Sequence, residues 1–255
     1  METNTLSQSH DLGGLVAEHH ANPKAQSEAL LVGWCFIIAG AFMALVGWQV
    51  SKGEWPELLI AAVGLPLAII GAVVLIGRQR RRDLSVRIFT DGFTRTLAGR
   101  TEVVRWNEVA EVVQNVTQSY RGNVRTNPTH IYTVRLTNGR KFVFNGQVDK
   151  IAGLGSALQQ QCAAGMLPRA REAYQVGESV AFGPFSVSRA GIAKGKATLP
   201  WEQVEQVELR QGVLHIRKKG ERRDWAFAMA SKIPNLPVLM ALANQRYQHR
   251  QVGNL

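Results

Sequence analysis

The sequence predicts a membrane-spanning helical hairpin followed by an α+β body in which one domain pattern occurs twice. Three observations lead to this prediction. Two long apolar segments without charge lie near the N-terminus, the remainder of the chain is strongly basic, and a tryptophan motif recurs at positions 106 and 201. Only two of the 30 lysines and arginines precede residue 78, and the net charge is +11. A chain of 255 residues has room for two modules and an appendage.

Residues 29–50 and 58–77 contain no charged side chain. Each segment has about 20 residues, which at about 1.5 Å per residue spans the roughly 30 Å hydrocarbon core of a bilayer. A signal peptide would begin with basic residues and carry a shorter apolar stretch. Two adjacent runs of this length are also unusual in a soluble core. We therefore predict a transmembrane hairpin over residues 29–77, with residues 51–57 connecting two antiparallel helices.

Small residues mark the faces on which these two helices are expected to meet. They are Gly33, Gly40, Ala44 and Gly47 in the first segment and Gly64, Ala68 and Gly71 in the second. In lipid, close approach of two backbones stabilises a helix pair, so such stripes suit a helix–helix interface. Packing within one chain and homodimerisation both fit this pattern.

The basic cluster at residues 78–82 sets the expected orientation of the hairpin. Lysines and arginines next to a span stay on the cytoplasmic side, whereas the connector has only Lys52 beside two glutamates. We therefore expect both termini in the cytoplasm. Residues 1–28 are polar and lack sustained periodicity, which predicts a largely disordered cytoplasmic tail.

The sequence offers little support for an enzyme. Cys35 lies in the first apolar segment and Cys162 in a soluble helix, so no disulfide is expected, as is usual in a reducing cytoplasm. His10, His19 and His20 are joined by no cysteine or regularly spaced carboxylate, and a Cys-x-x-Cys motif, a catalytic arrangement of separated Ser, His and Asp residues and clustered carboxylates are also missing. We expect no catalytic residues, no metal site and no cofactor.

An internal repeat organises the basic body. Strand-like alternation begins at Leu84, and Gly92 in the first copy corresponds to Gly191 in the second. Both copies contain the motif Trp-x-x-Val-x-x-Val, which predicts the core residues Trp106, Val109, Val112, Trp201, Val204 and Val207. An indole buries a large area and its N–H needs only one partner, so we favour core anchors over ligand-stacking residues. Each copy then continues with a hairpin and an amphipathic helix, which predicts domains over residues 84–166 and 176–250.

This order of elements resembles the pleckstrin-homology-like (PH-like) fold, a bent antiparallel sheet closed by its C-terminal helix. The resemblance is most specific in Gly177-Glu178, Phe182-Gly183-Pro184-Phe185, Gly191-Ile192, Leu199-Pro200-Trp201, Trp225 and Ile233-Pro234-Asn235. Over residues 29–250 the chain is similar to an uncharacterised bacterial family with two membrane helices followed by tandem PH-like domains. The resemblance implies this architecture and a place in the bacterial inner (plasma) membrane, and no activity is established for that family. The first copy departs from it by a longer polar segment, residues 117–129.

Basic residues crowd the turns of the second copy. The candidate contacts for an anionic lipid or a partner are Arg189, Lys194, Lys196, Lys218, Lys219, Arg222 and Arg223. The PH-like resemblance implies that early strand loops can hold anionic headgroups, and each cation near an anionic leaflet contributes about 1 kcal/mol. Alternatively, these residues only enforce topology and solubility. Nucleic acid is not an expected partner, because recognition-helix and stacking-aromatic patterns are missing.

Two functions remain open at this stage. The first is a non-enzymatic, membrane-anchored interaction or scaffold module that presents two cytoplasmic PH-like domains to a protein partner or a second copy of the chain. Residues 117–129 favour this function, because partner specificity usually lies on loops. The second is a membrane-surface sensor whose basic loops bind anionic lipid headgroups.

Overall fold

The computed structural model describes residues 12–50, 55–118, 120–121 and 124–252. Within these residues the fold is α+β, with four α-helices and several antiparallel sheets. The helices are α1 (Pro23–Val50), α2 (Trp55–Arg80), α3 (Ile151–Gln175) and α4 (Leu236–Val252). Helices α1 and α2 are long and apolar enough to cross a membrane. Most of the predicted connector, residues 51–54, lies outside the described residues.

Both N-terminal helices extend beyond the predicted apolar segments. Helix α1 begins at Pro23 instead of residue 29, because Asn22 caps it: its Oδ1 accepts the N–H of Lys24 at 3.0 Å. Helix α2 runs from Trp55 to Arg80 and so includes Arg78 and Arg80 in its last turn.

The small-residue stripes of α1 and α2 face each other. A Cβ on Gly40 would lie 2.5 Å from the carbonyl oxygen of Gly64, and one on Gly71 would lie 2.6 Å from that of Gly33. The backbones therefore touch, and the stripes serve packing within one chain. Large apolar side chains such as Phe42 point outward and are exposed, which suits a lipid environment.

Among the described residues, nine strands belong to the first repeat. They are β1 (Leu15–His20), β2 (Ser85–Phe89), β3 (Gly92–Leu97), β4 (Arg100–Arg105), β5 (Val109–Thr117), β6 (Tyr120–Arg121), β7 (Val124–Arg125), β8 (Thr129–Leu136) and β9 (Lys141–Phe144). Strands β1-β2-β3-β4 form a four-stranded sheet and β5-β8-β9 a three-stranded one, while β6 and β7 make a small hairpin. Helix α3 follows.

The N-terminal segment differs from the disordered tail that its polarity suggested. Residues 15–20 form the edge strand β1, whose His19 and Ala17 are opposite Val86 and Ile88 of β2. Leu12, just before this strand, is completely buried. An edge strand pairs with only one neighbouring strand, through backbone hydrogen bonds. Strand β1 therefore forms with few apolar side chains, and its sequence shows little periodicity. Residues 1–11 lie outside the described part of the chain.

The second repeat has seven strands and helix α4. The strands are β10 (Val180–Phe182), β11 (Phe185–Ser188), β12 (Gly191–Lys194), β13 (Ala197–Pro200), β14 (Val204–Arg210), β15 (Val213–Lys218) and β16 (Asp224–Met229). Again a four-stranded sheet, β10-β11-β12-β13, is followed by a three-stranded one, β14-β15-β16. The order of the sheets is therefore the same in both repeats.

The correspondence extends to single hydrogen bonds. The indole Nε1 of Trp106 donates to the Phe89 carbonyl at 3.2 Å, and that of Trp201 donates to the Ser188 carbonyl at 2.8 Å. Both acceptors lie three residues before the matched glycines, Gly92 and Gly191. Strand pairing also shifts register at the same place in each motif, after Val109 and after Val204. The six predicted motif side chains are all buried, in two separate apolar cores.

Helix α3 connects the two cores. The prediction ended the first domain at residue 166, whereas the helix continues through Pro168 to Gln175. Its first half places Leu154 and Leu158 in the first core, and its second half packs Ala170 and Tyr174 against the second. The extension forms because it buries a second apolar stripe, and one rigid element therefore serves both repeats.

Candidate functional site

A hydrogen-bonded contact joins the two repeats in front of α4. The backbone N–H of Asn235 donates to the Val112 carbonyl at 2.9 Å, and its side-chain Oδ1 accepts the Val112 N–H at 2.8 Å. The Nδ2 of Asn235 also donates to the Ala110 carbonyl at 3.1 Å. Asn235 thus acts as one extra residue of a strand beside β5. Its φ of 52° is left-handed, a conformation that asparagine tolerates better than most residues.

A cavity of about 630 Å³ lies beside this contact, between the two cores. We call it the inter-core cleft. One wall comes from α3, including Met166, Arg169 and Ala170, and the other walls come from both repeats. The other lining residues are Thr90, Asp91, Arg105, Trp106, Asn107, Val109, Ala110, Gly165, Ala173, Val180, Ala181, Phe182, Asn235 and Val238. Its volume is within the range of about 300–1,000 Å³ that is typical of ligand pockets.

The inter-core cleft combines an apolar floor with a polar rim. Phe182 and Val238 are buried at the floor, whereas Arg169, Asp91 and Asn107 are exposed at the rim. The backbone N–H of Arg105, also on the rim, donates to the Glu108 carboxylate at 2.9 Å. The rim thus carries two arginines and one aspartate, which favours an occupant with an apolar group next to an anionic one.

The described residues contain no group of three or more His, Cys, Asp or Glu side chains that could hold a metal ion. Cys162 lies near the cleft, with its Sγ 3.4 Å from the Sδ of Met166. Burial raises the pKa of its thiol to about 12, so the thiol is neutral at physiological pH and unsuited to nucleophilic attack. Burial likewise raises the pKa of Tyr132 above its usual value.

The seven predicted cationic residues lie on three turns of the second repeat. Arg189 is on the β11–β12 turn, Lys194 and Lys196 flank the β12–β13 turn, and Lys218, Lys219, Arg222 and Arg223 surround the β15–β16 turn. The Lys219 N–H donates to the Gln203 carbonyl at 2.8 Å, just beyond β13. Pro200, at this end of β13, pairs with Gly191 at the start of β12, next to Arg189. The β15–β16 turn therefore lies at the same end of the sheet as Arg189. Lys196 lies at the opposite end of β12. The seven residues therefore do not form one cluster.

Two of these cations have partners within the second repeat. The Nζ of Lys194 donates to the Phe227 carbonyl at 2.9 Å and lies 5.3 Å from the centre of the Phe227 ring. Lys218 forms an ion pair with Glu221 at 2.8 Å. The other five side chains of the set are exposed.

The polar segment at residues 117–129 is more regular than a loop. Strands β5 and β8 stay paired as far as Thr117 and Thr129, and the small hairpin of β6 and β7 follows. Residues 119, 122 and 123 of this segment lie outside the described residues. The second repeat has only a tight turn at Gln211 and Gly212 in the equivalent place. The first repeat therefore carries an additional two-stranded arm.

Sequence reasoning missed the inter-core cleft. Its walls come from segments far apart in the chain, and most of its α3 wall lies beyond residue 166, where the first domain was predicted to end. One available signal was the apolar spacing of Met166, Ala170 and Ala173 across Pro168, which indicates a continuing helix.

These features define a class of protein: an apolar two-helix hairpin carrying a duplicated α+β body with a cleft between the copies. The chain belongs to DUF6585, a family of unknown function, which it matches over residues 1–251. No curated protein and no solved structure matches it.

Proposed function

We propose that the protein is a non-enzymatic, membrane-anchored interaction module that holds two PH-like domains at the cytoplasmic face of a bacterial inner membrane. The observation that carries the proposal is the position of the hairpin. Helices α1 and α2 leave and re-enter one sheet between the paired strands β1 and β2. A hairpin in the bilayer would therefore hold the first repeat directly at its surface.

Hydrogen bonds at both legs of the hairpin support a firm attachment. Before α1, the Asn22 N–H donates to the Gln147 carbonyl at 2.7 Å and its Nδ2 donates to the Gly146 carbonyl at 2.9 Å. At the end of α2, the Nε of Arg78 donates to the Gln26 carbonyl at 2.9 Å. The two legs are thus fixed to the first repeat and to each other. The basic cluster at residues 78–82 favours the cytoplasmic orientation.

The arrangement within each repeat supports the PH-like assignment. A four-stranded antiparallel sheet, a tryptophan-bearing 3₁₀ turn, a three-stranded sheet and a closing helix follow in the same order twice. The turns are Trp106–Glu108 and Trp201–Gln203, and each tryptophan is hydrogen-bonded back to the first sheet. Under this assignment, the first domain begins with β1, on the N-terminal side of the hairpin.

We place the partner in the inter-core cleft. Strand β2 starts at Ser85, next to the hairpin, and ends near Asp91 on the cleft rim. Five residues of extended strand measure about 15 Å, so a protein in the cytoplasm could reach the cleft without displacing lipid. The occupant that fits the lining is an extended segment of a partner protein, with an apolar side chain on the floor and a carboxylate near Arg105 and Arg169.

Site-specific crosslinking in native membranes tests this proposal. A photoreactive amino acid would replace Ala173 or Val180 in the cleft, with Arg222, on an exposed turn, as the matched control position. We expect one discrete adduct from both cleft positions and none from the control, and Ala170→Trp, which fills the cleft, should abolish it. Adducts that form equally at all three positions, or that survive Ala170→Trp, would refute the cleft as the partner site.

The seven cations on the turns, five of which are exposed, favour the second function, a membrane-surface sensor. Changing Lys194, Lys196, Arg222 and Arg223 together to Glu should then abolish the salt-sensitive binding of the body to anionic liposomes. Binding that is unchanged by these substitutions would rule out this second function.

A further inference from the structure

One sheet edge of the first repeat is filled, whereas the equivalent edge of the second repeat is open. On strand β5, Asn235 of the second repeat binds both the N–H and the carbonyl of Val112. Val207 holds the same place as Val112 in the second tryptophan motif. Among the described residues, no hydrogen bond reaches Val207 from outside its own sheet. An edge strand with unpaired backbone groups is a template for a further strand.

The strand register shows that Val207 directs its backbone groups toward this open edge. Val112 is opposite Val134 of β8, and Val207 is opposite Ile216 of β15, in each case after the same shift of register. The N–H and carbonyl of one residue lie on the same side of an extended strand. Because those of Val112 point away from β8 toward its partner, those of Val207 point away from β15.

The surface beside the edge is also repeated. In the first repeat, one wall of the inter-core cleft is formed by Trp106, Asn107, Val109 and Ala110. The equivalent residues of the second repeat are Trp201, Glu202, Val204 and Glu205. We call these four residues, together with the outer edge of β14, the β14 wall. Leu209, two residues beyond Val207 and on the same face of β14, is an exposed apolar side chain.

Two glutamates distinguish the β14 wall from its counterpart. Glu202 and Glu205, both exposed, replace an asparagine and an alanine. The carbonyl of that alanine, Ala110, accepts the side-chain amide that fills the first edge, so a side chain at the Glu205 position lies next to any occupant. The ion pair of Glu205 with Arg217 spans 4.0 Å and is solvent-exposed, so it holds the carboxylate only weakly. The β14 wall therefore favours an occupant with a positive charge.

We propose that the β14 wall binds an extended segment of a basic partner protein in the way that β5 binds Asn235. An asparagine of the partner donates its N–H to the Val207 carbonyl and accepts the Val207 N–H on its side-chain oxygen. A neighbouring lysine or arginine contacts Glu205, and an apolar side chain covers Leu209. A second copy of the chain is a poor occupant, because its own Asn235 is already bound to its own β5. This surface is separate from the inter-core cleft and does not depend on what the cleft binds.

A peptide copied from the chain's own docking segment tests the proposal. It covers residues 230–238, ASKIPNLPV, with blocked ends, and is titrated into the purified full-length protein in a neutral detergent. Because β5 is already filled, the peptide should bind at β14. Hydrogen exchange should slow at least tenfold at the Val207 amide and stay unchanged at the Val112 amide. The same peptide with Asn235→Ala should bind at least tenfold more weakly.

Substitutions in the protein test the charge of the partner. Glu202→Gln combined with Glu205→Gln should weaken binding of the lysine-containing peptide at least threefold, and high salt should remove the difference from wild type. Glu221→Gln is the matched control, because Glu221 is an exposed glutamate on the β15–β16 turn, and it should leave binding unchanged. All three glutamates are exposed, so the variants should fold, which circular dichroism checks. Equal binding by the double variant and wild type would overturn the basic partner.

Three other results would overturn the β14 wall itself. They are no protection of the Val207 amide by the peptide, equal protection by the Asn235→Ala peptide, and protection at Val112 in place of Val207. Protection of Val207 in the free protein that rises with protein concentration would instead show that a second copy fills the edge, and would equally overturn the proposal. The crosslinks at Ala173 and Val180 report on the inter-core cleft, so failure of one site is distinguishable from failure of the other.

Discussion

The two repeats share one frame and differ at two connections. In the first repeat, the connection between β1 and β2 is the helical hairpin, whereas in the second a turn at Gly183 and Pro184 joins β10 and β11. The arm beyond β5 likewise replaces the tight turn at Gly212. Both differences lie in connections, which tolerate insertion better than the strands they join. The first repeat therefore carries the helical hairpin and the additional arm, while the second has short turns and exposed cations.

The shared frame depends on a few buried contacts that are equivalent in both repeats. Each tryptophan, just before the second sheet, donates a hydrogen bond to a backbone carbonyl of the first sheet. Each matched glycine lies against a backbone carbonyl of the strand that follows it. Substitutions at equivalent positions therefore test whether the repeats are equivalent in energy as well as in geometry.

The largest effect is expected for the tryptophans. Trp106→Ala and Trp201→Ala should each lower the free energy of unfolding by about 3–5 kcal/mol, because each leaves a cavity in its core. Urea unfolding in detergent micelles, followed by circular dichroism, measures the loss. Trp34→Ala is the control, because Trp34 is half exposed on α1. It should have little effect on the free energy of unfolding. A stable Trp201→Ala variant would show that the second tryptophan does not hold its core together.

A smaller effect is expected for the matched glycines. A Cβ at Gly92 would lie 2.3 Å from the Val104 carbonyl oxygen, and one at Gly191 would lie 2.1 Å from that of Leu199. Gly92→Ala and Gly191→Ala should therefore each destabilise the protein by about 1–3 kcal/mol through overpacking. Gly146→Ala, which meets no atom within 4 Å, is the control for thermal unfolding. If only one of the two variants lost stability, the repeats would not be equivalent in energy at this position.

In the part of the chain that the structure describes, strand β14 has no contact equivalent to that of Asn235 with β5, and removing this contact sharpens the comparison. Asn235→Gly keeps the left-handed backbone accessible and deletes two side-chain hydrogen bonds, which should lower the free energy of unfolding by about 1–2 kcal/mol. Hydrogen exchange should accelerate at the Val112 amide and stay constant at the amide of Val207, its equivalent in β14. Unchanged exchange at Val112 would show that the bond from its N–H to the Asn235 side chain does not protect this amide.

The smallest effect is expected for the ion pair that links β1 to β2. The Nε of Arg87 lies 2.7 Å from the Glu18 carboxylate, with both side chains partly exposed. Glu18→Gln should change the free energy of unfolding by no more than about 1 kcal/mol. A double-mutant cycle with Arg87→Gln measures this contribution. A coupling above about 2 kcal/mol would show that β1 depends on this pair more than on its backbone bonds.

The sequence predicted the features that patterns within short segments specify. The hairpin follows from two charge-free runs, its packing from glycines at fixed spacing, and the α+β repeats from the two tryptophan motifs. Strand β1 could not be predicted, because its partner β2 lies beyond the whole hairpin and its own residues, LVAEHH, alternate only weakly.

The candidate sites were predicted less well, for related reasons. The inter-core cleft depends on contacts between distant segments, such as that of Asn235 with Val112. The positions of the basic turns followed from hairpin signals in the sequence. The bond from Lys194 to the Phe227 carbonyl did not, because no local pattern specifies which backbone group a lysine reaches.

The order of β1, hairpin and β2 has a consequence for biosynthesis. In a chain anchored as proposed, β1 leaves the ribosome first and must wait, unpaired on both edges, until α1 and α2 have been inserted and β2 has followed. Closure of the first sheet is then coupled to membrane insertion, whereas the second repeat has its first two strands available together. A failed insertion would leave β1 and β2 apart, exposing strand edges of the kind that recruit chaperones and proteases.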